Sequence, residues 1–244
     1  MHRIKLTIEY DGSNYHGFQI QNNAHTIQEE IEAGINKLVG RRSTLTSAGR
    51  TDTGVHALGQ VVVFDTKSSI PADKWKFALN SVLPPDIRVI ASELAALDFH
   101  PRYDAVAKRY KYQLYRQVRG RTFLRNYALC MTEPLAIIEM QQACRLITGR
   151  HNFKSFCASG SSVKTFERQV MNCNIKEEGS YLNLEIEADG FLYNMVRIIM
   201  GTLLEVGRGN IPAEQIKDII EAKDRSRAGF TAPPQGLYLM EVKY

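Results

Sequence analysis

One stretch holds the residue types that chemistry needs at close spacing. Ser47-Ala48-Gly49-Arg50-Thr51-Asp52-Thr53-Gly54-Val55-His56-Ala57 places a lone carboxylate, Asp52, in a short polar run bracketed by two glycines. Glycine reaches backbone angles closed to other residues, so Gly49 and Gly54 predict a tight, shaped loop. The β-branched run Gln60-Val61-Val62-Val63-Phe64 follows at once and predicts a buried strand, which would pin the loop to a sheet. Reactive side chains are commonly held this way, on loops fixed to a rigid scaffold. On spacing alone Asp52 reads first as a turn residue whose carboxylate bonds nearby amides. Arg50, two positions earlier, is suited to bind a phosphate or to orient that carboxylate.

Two more stretches carry chemistry in an apolar setting. Phe191 to Leu204 is almost continuously apolar and predicts a helix buried on most sides. Arg197 lies in its middle, where a charge is costly unless it is paired or snorkels to the surface. Asp52 is the partner carboxylate this reading selects. From Arg109 to Tyr115, Tyr110, Tyr112 and Leu114 alternate with Arg109, Lys111 and Gln113. Aromatics interleaved with bases suit either a core strand with a tyrosine face or a platform for nucleobases. Arg116, Arg119, Arg121 and Arg125 continue the positive charge around Gly120, as a solvated loop or an outer rim for phosphates.

The elements that position these residues follow from pattern. Ile4, Leu6, Ile8 and Tyr10 alternate with Arg3, Lys5, Thr7 and Glu9, a half-buried antiparallel strand closed by Asp11-Gly12. Thr26-Ile27-Gln28-Glu29 forms a capping box for an amphipathic helix ending at Gly40. A short helix after Pro71 and a strand at residues 87–89 complete a strand–helix–strand–helix–strand order, the mark of an α+β half. Beyond a boundary near residue 104 come the Arg109 strand, a helix from Pro134 to Thr148, and a hairpin turning at residues 177–180. The buried Arg197 helix, an amphipathic helix from Pro212 to Ala222 and a last strand to Tyr244 follow. Leu-Thr-Ile-Glu-Tyr-Asp-Gly at 6–12 is echoed by Leu-Glu-Ile-Glu-Ala-Asp-Gly at 184–190, which suggests two similar halves, 1–104 and 105–244.

Composition bounds the rest. A formal net charge of +5 permits an anionic partner without naming one. Cys130, Cys144, Cys157 and Cys173 lie far apart, against a zinc site or a disulfide framework. His151 has no partner in sequence for a metal site and reads as structural. No apolar run approaches membrane-spanning length, and Met1 runs straight into the first strand, so a cytoplasmic protein is expected.

Gly49 to Ala57, read as Gly-Arg-Thr-Asp-x-Gly-Val-His-Ala, resembles the signature of the tRNA pseudouridine synthase A (TruA) family, whose nucleophilic aspartate falls on Asp52. Further stretches agree in order. Tyr10-Asp11-Gly12 leads to Gly17-Phe18-Gln19, with Phe18 where tryptophan is usual. Arg109-Tyr110-Lys111-Tyr112 places the family's base-stacking tyrosine at Tyr110. His151-Asn152-Phe153-Lys154-Ser155-Phe156 also matches, as does Met195-Val196-Arg197, whose arginine in the family reaches the catalytic aspartate. Thr231-Ala232-Pro233 is followed by Gly236-Leu237, where an apolar contact to the flipped base falls on Leu237. Thr53 and Phe230 stand where alanine and proline are frequent, and neither change removes a reacting group.

The resemblance implies two α+β halves, each an antiparallel sheet with helices on one face, with the active-site cleft between them. It implies a uridine isomerase acting at positions 38, 39 and 40 of the tRNA anticodon stem-loop, as a homodimer without cofactor or metal. A binding protein without turnover, or an enzyme acting on another structured RNA, are the competing readings. Asp52, Tyr110 and Arg197 together favour catalysis, because binding alone does not require a carboxylate near phosphates.

Overall fold

The chain alternates short helices with strands throughout the computed structural model, which describes residues 1–160 and 163–244. In order it runs β1 (His2–Tyr10), α1 (Ile27–Val39), β2 (Thr46–Ser47), β3 (His56–Thr66), α2 (Trp75–Asn80) and β4 (Ile87–Ala95). Then come β5 (Ala107–Tyr115), α3 (Arg121–Leu124), β6 (Leu129–Cys130), α4 (Ile137–Ile147), β7 (Gly149–Asn152), β8 (Glu167–Glu178) and β9 (Tyr181–Ala188). The chain closes with α5 (Met195–Gly207), α6 (Ile216–Ala222) and β10 (Leu237–Lys243). Among the described residues no helix is long and apolar enough to cross a membrane.

Two compact units divide the chain. The first takes Met1–Val106 together with Tyr238–Tyr244, and the second takes Ala107–Leu237. A division at residue 104 alone leaves 238–244 with the second half, and here the structure differs. β10 runs parallel to β3, pairing Tyr238 with His56 and Leu239 with Ala57. Val106 N–H donates to Lys243 O (2.9 Å), and Tyr244 Oη donates to Pro101 O (2.8 Å). Those bonds tie the last strand to the first unit.

In that unit β1 lies between β3 and β4, antiparallel to both. The alternation read from sequence assigns its faces. Ile4, Leu6 and Ile8 are buried on one side, where Ile4 pairs with Phe64 and Phe64 meets the edge of Trp75 from α2 (4.9 Å). On the other side Arg3 holds Asp65 through two bonds of 2.8 Å, and Lys5 sits over Phe99 and Tyr244. Thr26 caps α1 by accepting from Glu29 N–H (3.4 Å), as the capping box predicts, and Gly40 ends it in the left-handed conformation, as the glycine stop predicts.

The second unit orders its strands β5-β9-β8-β7, all antiparallel, with β6 added parallel to β5. Tyr110 and Tyr112 on β5 face the same way as Ile186 and Leu184 on β9 and Cys173 and Ile175 on β8, by register. Helix α4 packs on that face, its Gln141 donating to Ile175 O (3.1 Å). Helix α5 is almost entirely buried beside it. The echo between the halves has a structural counterpart: β1 and β9 are each flanked by two antiparallel neighbours and end in Asp-Gly. The two aspartates then diverge. Asp11 accepts from Ser13 N–H (2.9 Å) ahead of a turn, whereas Asp189 accepts from Gln169 N–H (3.0 Å) on the neighbouring strand.

Candidate active site

The Asp52 loop is held by bonds to segments far away in sequence. Ala48 N–H donates to Val61 O (2.8 Å) and Gln60 Nε2 donates to Gly49 O (2.8 Å), which fastens the incoming side to β3. Thr51, buried, shares a 2.8 Å hydrogen bond with the Tyr10 hydroxyl at the end of β1. Phe18 N–H donates to Thr51 O (3.0 Å), and Gly54 N–H donates to Tyr15 O (3.3 Å). On the outgoing side His56 Nδ1 accepts from Gly12 N–H (3.1 Å) and lies 3.2 Å from Asp11 Oδ1, while its ring stacks on Tyr238.

Two glycines permit this approach. A Cβ on Gly12 would sit 2.1 Å from Val55 O, and one on Gly17 would sit 2.7 Å from Thr51 O at a φ of +88°. The loop therefore rests against the Tyr10–Phe18 segment backbone to backbone. Burial pushes the Tyr10 hydroxyl well above its ordinary range, opposed by its bonds to Thr51 and Gln60. It stays a neutral brace. Asp52, next in sequence to Thr51, is half-buried, and Arg50 is exposed with no side-chain partner among the described residues.

The second unit carries the other three residues singled out from sequence. Tyr110 is buried on β5, with the Phe191 ring edge-on at 4.9 Å. Arg197, half-buried in the first turn of α5, donates from Nε to Ala232 O (2.7 Å) and from a terminal nitrogen to Asn194 Oδ1 (2.8 Å). Leu237 is buried at the start of β10. The segment from Gly229 to Leu237 is seated tightly. Gly229 N–H donates to Thr202 Oγ1 (2.9 Å), Tyr112 Oη donates to Pro233 O (2.7 Å), and a Cβ on Gly201 would fall 1.8 Å from Phe230 O. Burial raises the Tyr112 hydroxyl, and the nearby Arg197 cation pulls the other way. Arg197 thus fixes the segment that presents Ala232 and Leu237.

Comparison with known proteins identifies the family of the chain. A family described as tRNA pseudouridine synthase matches residues 6–104 and 143–244. The tRNA pseudouridine synthase A of Syntrophomonas wolfei is 59% identical over 244 residues, covering 100% of this chain and 98% of that one. Proteins of the same name from a Thermoanaerobacter species and from Acetivibrio thermocellus are 48% and 49% identical, each over 100% of both chains.

The chain belongs to the tRNA pseudouridine synthase A family. It is an isomerase with tRNA as substrate, and its fold is the mixed α+β fold of pseudouridine synthases. In this synthase the structure places Asp52 and Arg50 on one loop of the first unit, and Tyr110, Arg197 and Leu237 in the second. Sequence reasoning selected Asp52 as the partner of Arg197. It did not foresee the bonds from Arg197 to Ala232 O and Asn194, because a backbone acceptor leaves no mark on residue type. It also missed Tyr10, Thr51, Gln60 and His56 as the frame of the loop. The available signal was their position inside or beside the matched motifs.

Proposed function

We propose that the enzyme converts uridine to pseudouridine at positions 38, 39 and 40 of the tRNA anticodon stem-loop, working in the cytoplasm as a homodimer without cofactor or metal. The reaction breaks the N1–C1′ bond, turns the base and joins C5 to C1′, with loss of the C5 proton to water and uptake of a proton at N1. Asp52 is the nucleophile, adding to C6 of the base or engaging C1′ as the glycosidic bond opens. Arg197 keeps that carboxylate ionised, Tyr110 holds the flipped ring, Leu237 gives it an apolar contact, and Arg50 binds the backbone beside the flipped nucleotide. The two units divide this labour, the first supplying the nucleophile and the second the groups that hold the base. Tyrosine's ordinary pKa of about 10 makes it a weak base at neutral pH, so Tyr110 acts mainly by position.

The observation that carries the reading is the bracing of the Asp52 loop. Bonds from the end of β1, from the Gly12–Phe18 segment and from β3 hold the loop around one half-buried carboxylate. A turn aspartate bonding its own amides needs no such frame. Flipping a base costs a few kcal/mol and is easiest in loops and at helix ends, which favours an anticodon stem-loop target.

Unmodified tRNA labelled with tritium at uridine C5 tests the reading directly. Wild-type protein is expected to release tritium to water and Asp52→Ala to release none, with tRNA affinity retained in Asp52→Asn. Binding without release from any tRNA would move the protein to the binding class, and release by Asp52→Ala would remove Asp52 from the chemistry. Mapping of pseudouridine in the product tRNA then tests positions 38, 39 and 40.

A further inference from the structure

Between β5 and β6 the chain makes a compact protrusion whose composition nothing in the proposed catalytic steps uses. Its base is closed: β6 pairs with β5 through Leu114 and Leu129, Met131 N–H donates to Tyr115 O (3.0 Å), and Ala128 is buried. Its turn is fixed as well. Tyr115 Oη donates to Arg119 O (2.7 Å), and Gly120 takes a φ of +93° directly against the Tyr115 ring. A rigid loop therefore presents Phe123, which is 83% exposed, in the four-residue helix α3. Arg119, Arg121 and Arg125 surround it, all exposed.

The charges on this tip are unopposed. Arg116 at its root is paired with Glu177, but Arg119, Arg121 and Arg125 have no acidic partner among the described residues. Arg121 and Arg125 each use one nitrogen on a carbonyl, of Cys130 and Thr122, which fixes the direction of the remaining donors. Next to the tip lies a groove of about 410 Å³. Arg121 lines it, together with Phe230 and Pro233 of the segment that Arg197 and Tyr112 hold. The acid in the groove, Glu133, is taken up by Arg208, and Phe230 is 41% exposed.

We propose that the Arg119–Arg125 protrusion and the groove beside it form a second contact for the substrate tRNA. Its arginines bind backbone phosphates, and Phe123 and Phe230 offer flat apolar surface to ribose or base. A surface with three unpaired cations and an exposed ring suits a polyanion with planar groups better than it suits another protein. Tyr115 lies five residue steps along β5 from Tyr110, about 17 Å at the strand rise. The contact therefore falls on nucleotides other than the target, and it acts on tRNA affinity rather than on the bond-making steps. This inference rests on the proposed activity only for the identity of the RNA.

The experiment measures binding of unmodified tRNA to the full chain over a range of salt, with tritium release in parallel. Replacing Arg119, Arg121 and Arg125 together by alanine should raise Kd and KM at least tenfold. The slope of log K against log salt should fall by about 2–3, near one for each phosphate that the variant leaves unneutralised. Turnover at saturating tRNA should change less than twofold. The triple lysine variant should recover most of the affinity, and Phe123→Ala alone should weaken binding severalfold without altering the salt slope. A control replaces Arg145, Lys217 and Lys223, exposed cations in or beside α4 and α6, by alanine.

The proposal is overturned if the triple alanine variant, shown folded by circular dichroism, binds tRNA with wild-type affinity and slope. An equal effect in the control overturns it too, by reducing the effect to net charge. So does a change in oligomeric state in Phe123→Ala, which would make the tip a protein interface. Wild-type protein that binds tRNA but releases no tritium would sink the activity, and the salt slope would still decide this contact.

Discussion

A single hydroxyl beside Asp52 is a sensitive point at the scale of the residue. Thr51 Oγ1 and Tyr10 Oη are bonded across 41 positions of sequence, both away from solvent. Thr51→Val keeps the shape and removes the partner. It is expected to cost about 1 kcal/mol in denaturant unfolding, since a buried hydroxyl loses a bond but retains Gln60 nearby. Tritium-release kcat should fall while the KM for tRNA stays put, because the change loosens the residue next to Asp52 and touches no RNA contact. The Arg3–Asp65 pair tests electrostatics at the same scale. Hydrogen bonding to Arg3 holds the Asp65 carboxyl below its ordinary range. A lowered folded pKa means stability that is present above the unfolded value near 4 and lost as pH falls through the folded one. Asp65→Asn should therefore cost about 0.5 kcal/mol at pH 7, as for a partly exposed pair, with the gap to wild type closing below about pH 4.

Glycine contacts govern the elements. Helix α5 approaches the Gly229–Leu237 segment closely enough that a Cβ on Gly201 would strike Phe230 O. Gly201→Ala must push that segment away, stretching the bond from Arg197 to Ala232. A loss of about 1–3 kcal/mol in thermal or denaturant unfolding is expected, as for overpacking in a core. A fall in turnover larger than that of Thr51→Val should accompany it, read by tritium release.

Much of the element pattern was legible in sequence for local reasons. Alternation in β1, the capping box of α1 and the hairpin of β8 and β9 are all signals carried within short stretches of chain. What escaped was non-local or short. β4 continues past residue 89 to Ala95, where exposed residues erase the alternation. β2, β6 and the four-residue α3 are too brief to show a period. The placing of β10 with the first unit depends on pairing with His56 and Ala57, far earlier in the chain. For the proposed site, Asp52, Tyr110, Arg197 and Leu237 were selected through motifs. The frame around Asp52 was not, because residues such as Tyr10 and Gln60 look like ordinary strand residues until their partners are known.

Across the whole molecule, burial separates the four thiols. Cys144, Cys157 and Cys173 are buried and Cys130 is partly exposed, in the groove beside Arg121. Cys173 is further protected, since its bond to Cys144 and its burial both push its thiol up. A colorimetric thiol titration of the native protein should find one fast group, and four after denaturation. Protection of that one group by added tRNA would accord with RNA lying along the groove, and a Cys130→Ala variant should show no fast phase.

The return of β10 to the first unit has a consequence for how the protein is made. During translation β3 leaves the ribosome long before the strand that pairs with it, because the whole second unit is synthesised in between. At about 5–20 residues per second the delay is on the order of 10 s. Throughout that interval the edge of β3 beside the Asp52 loop, at His56 and Ala57, lacks its partner. The nascent chain must keep that edge from pairing with another chain until its own last strand arrives.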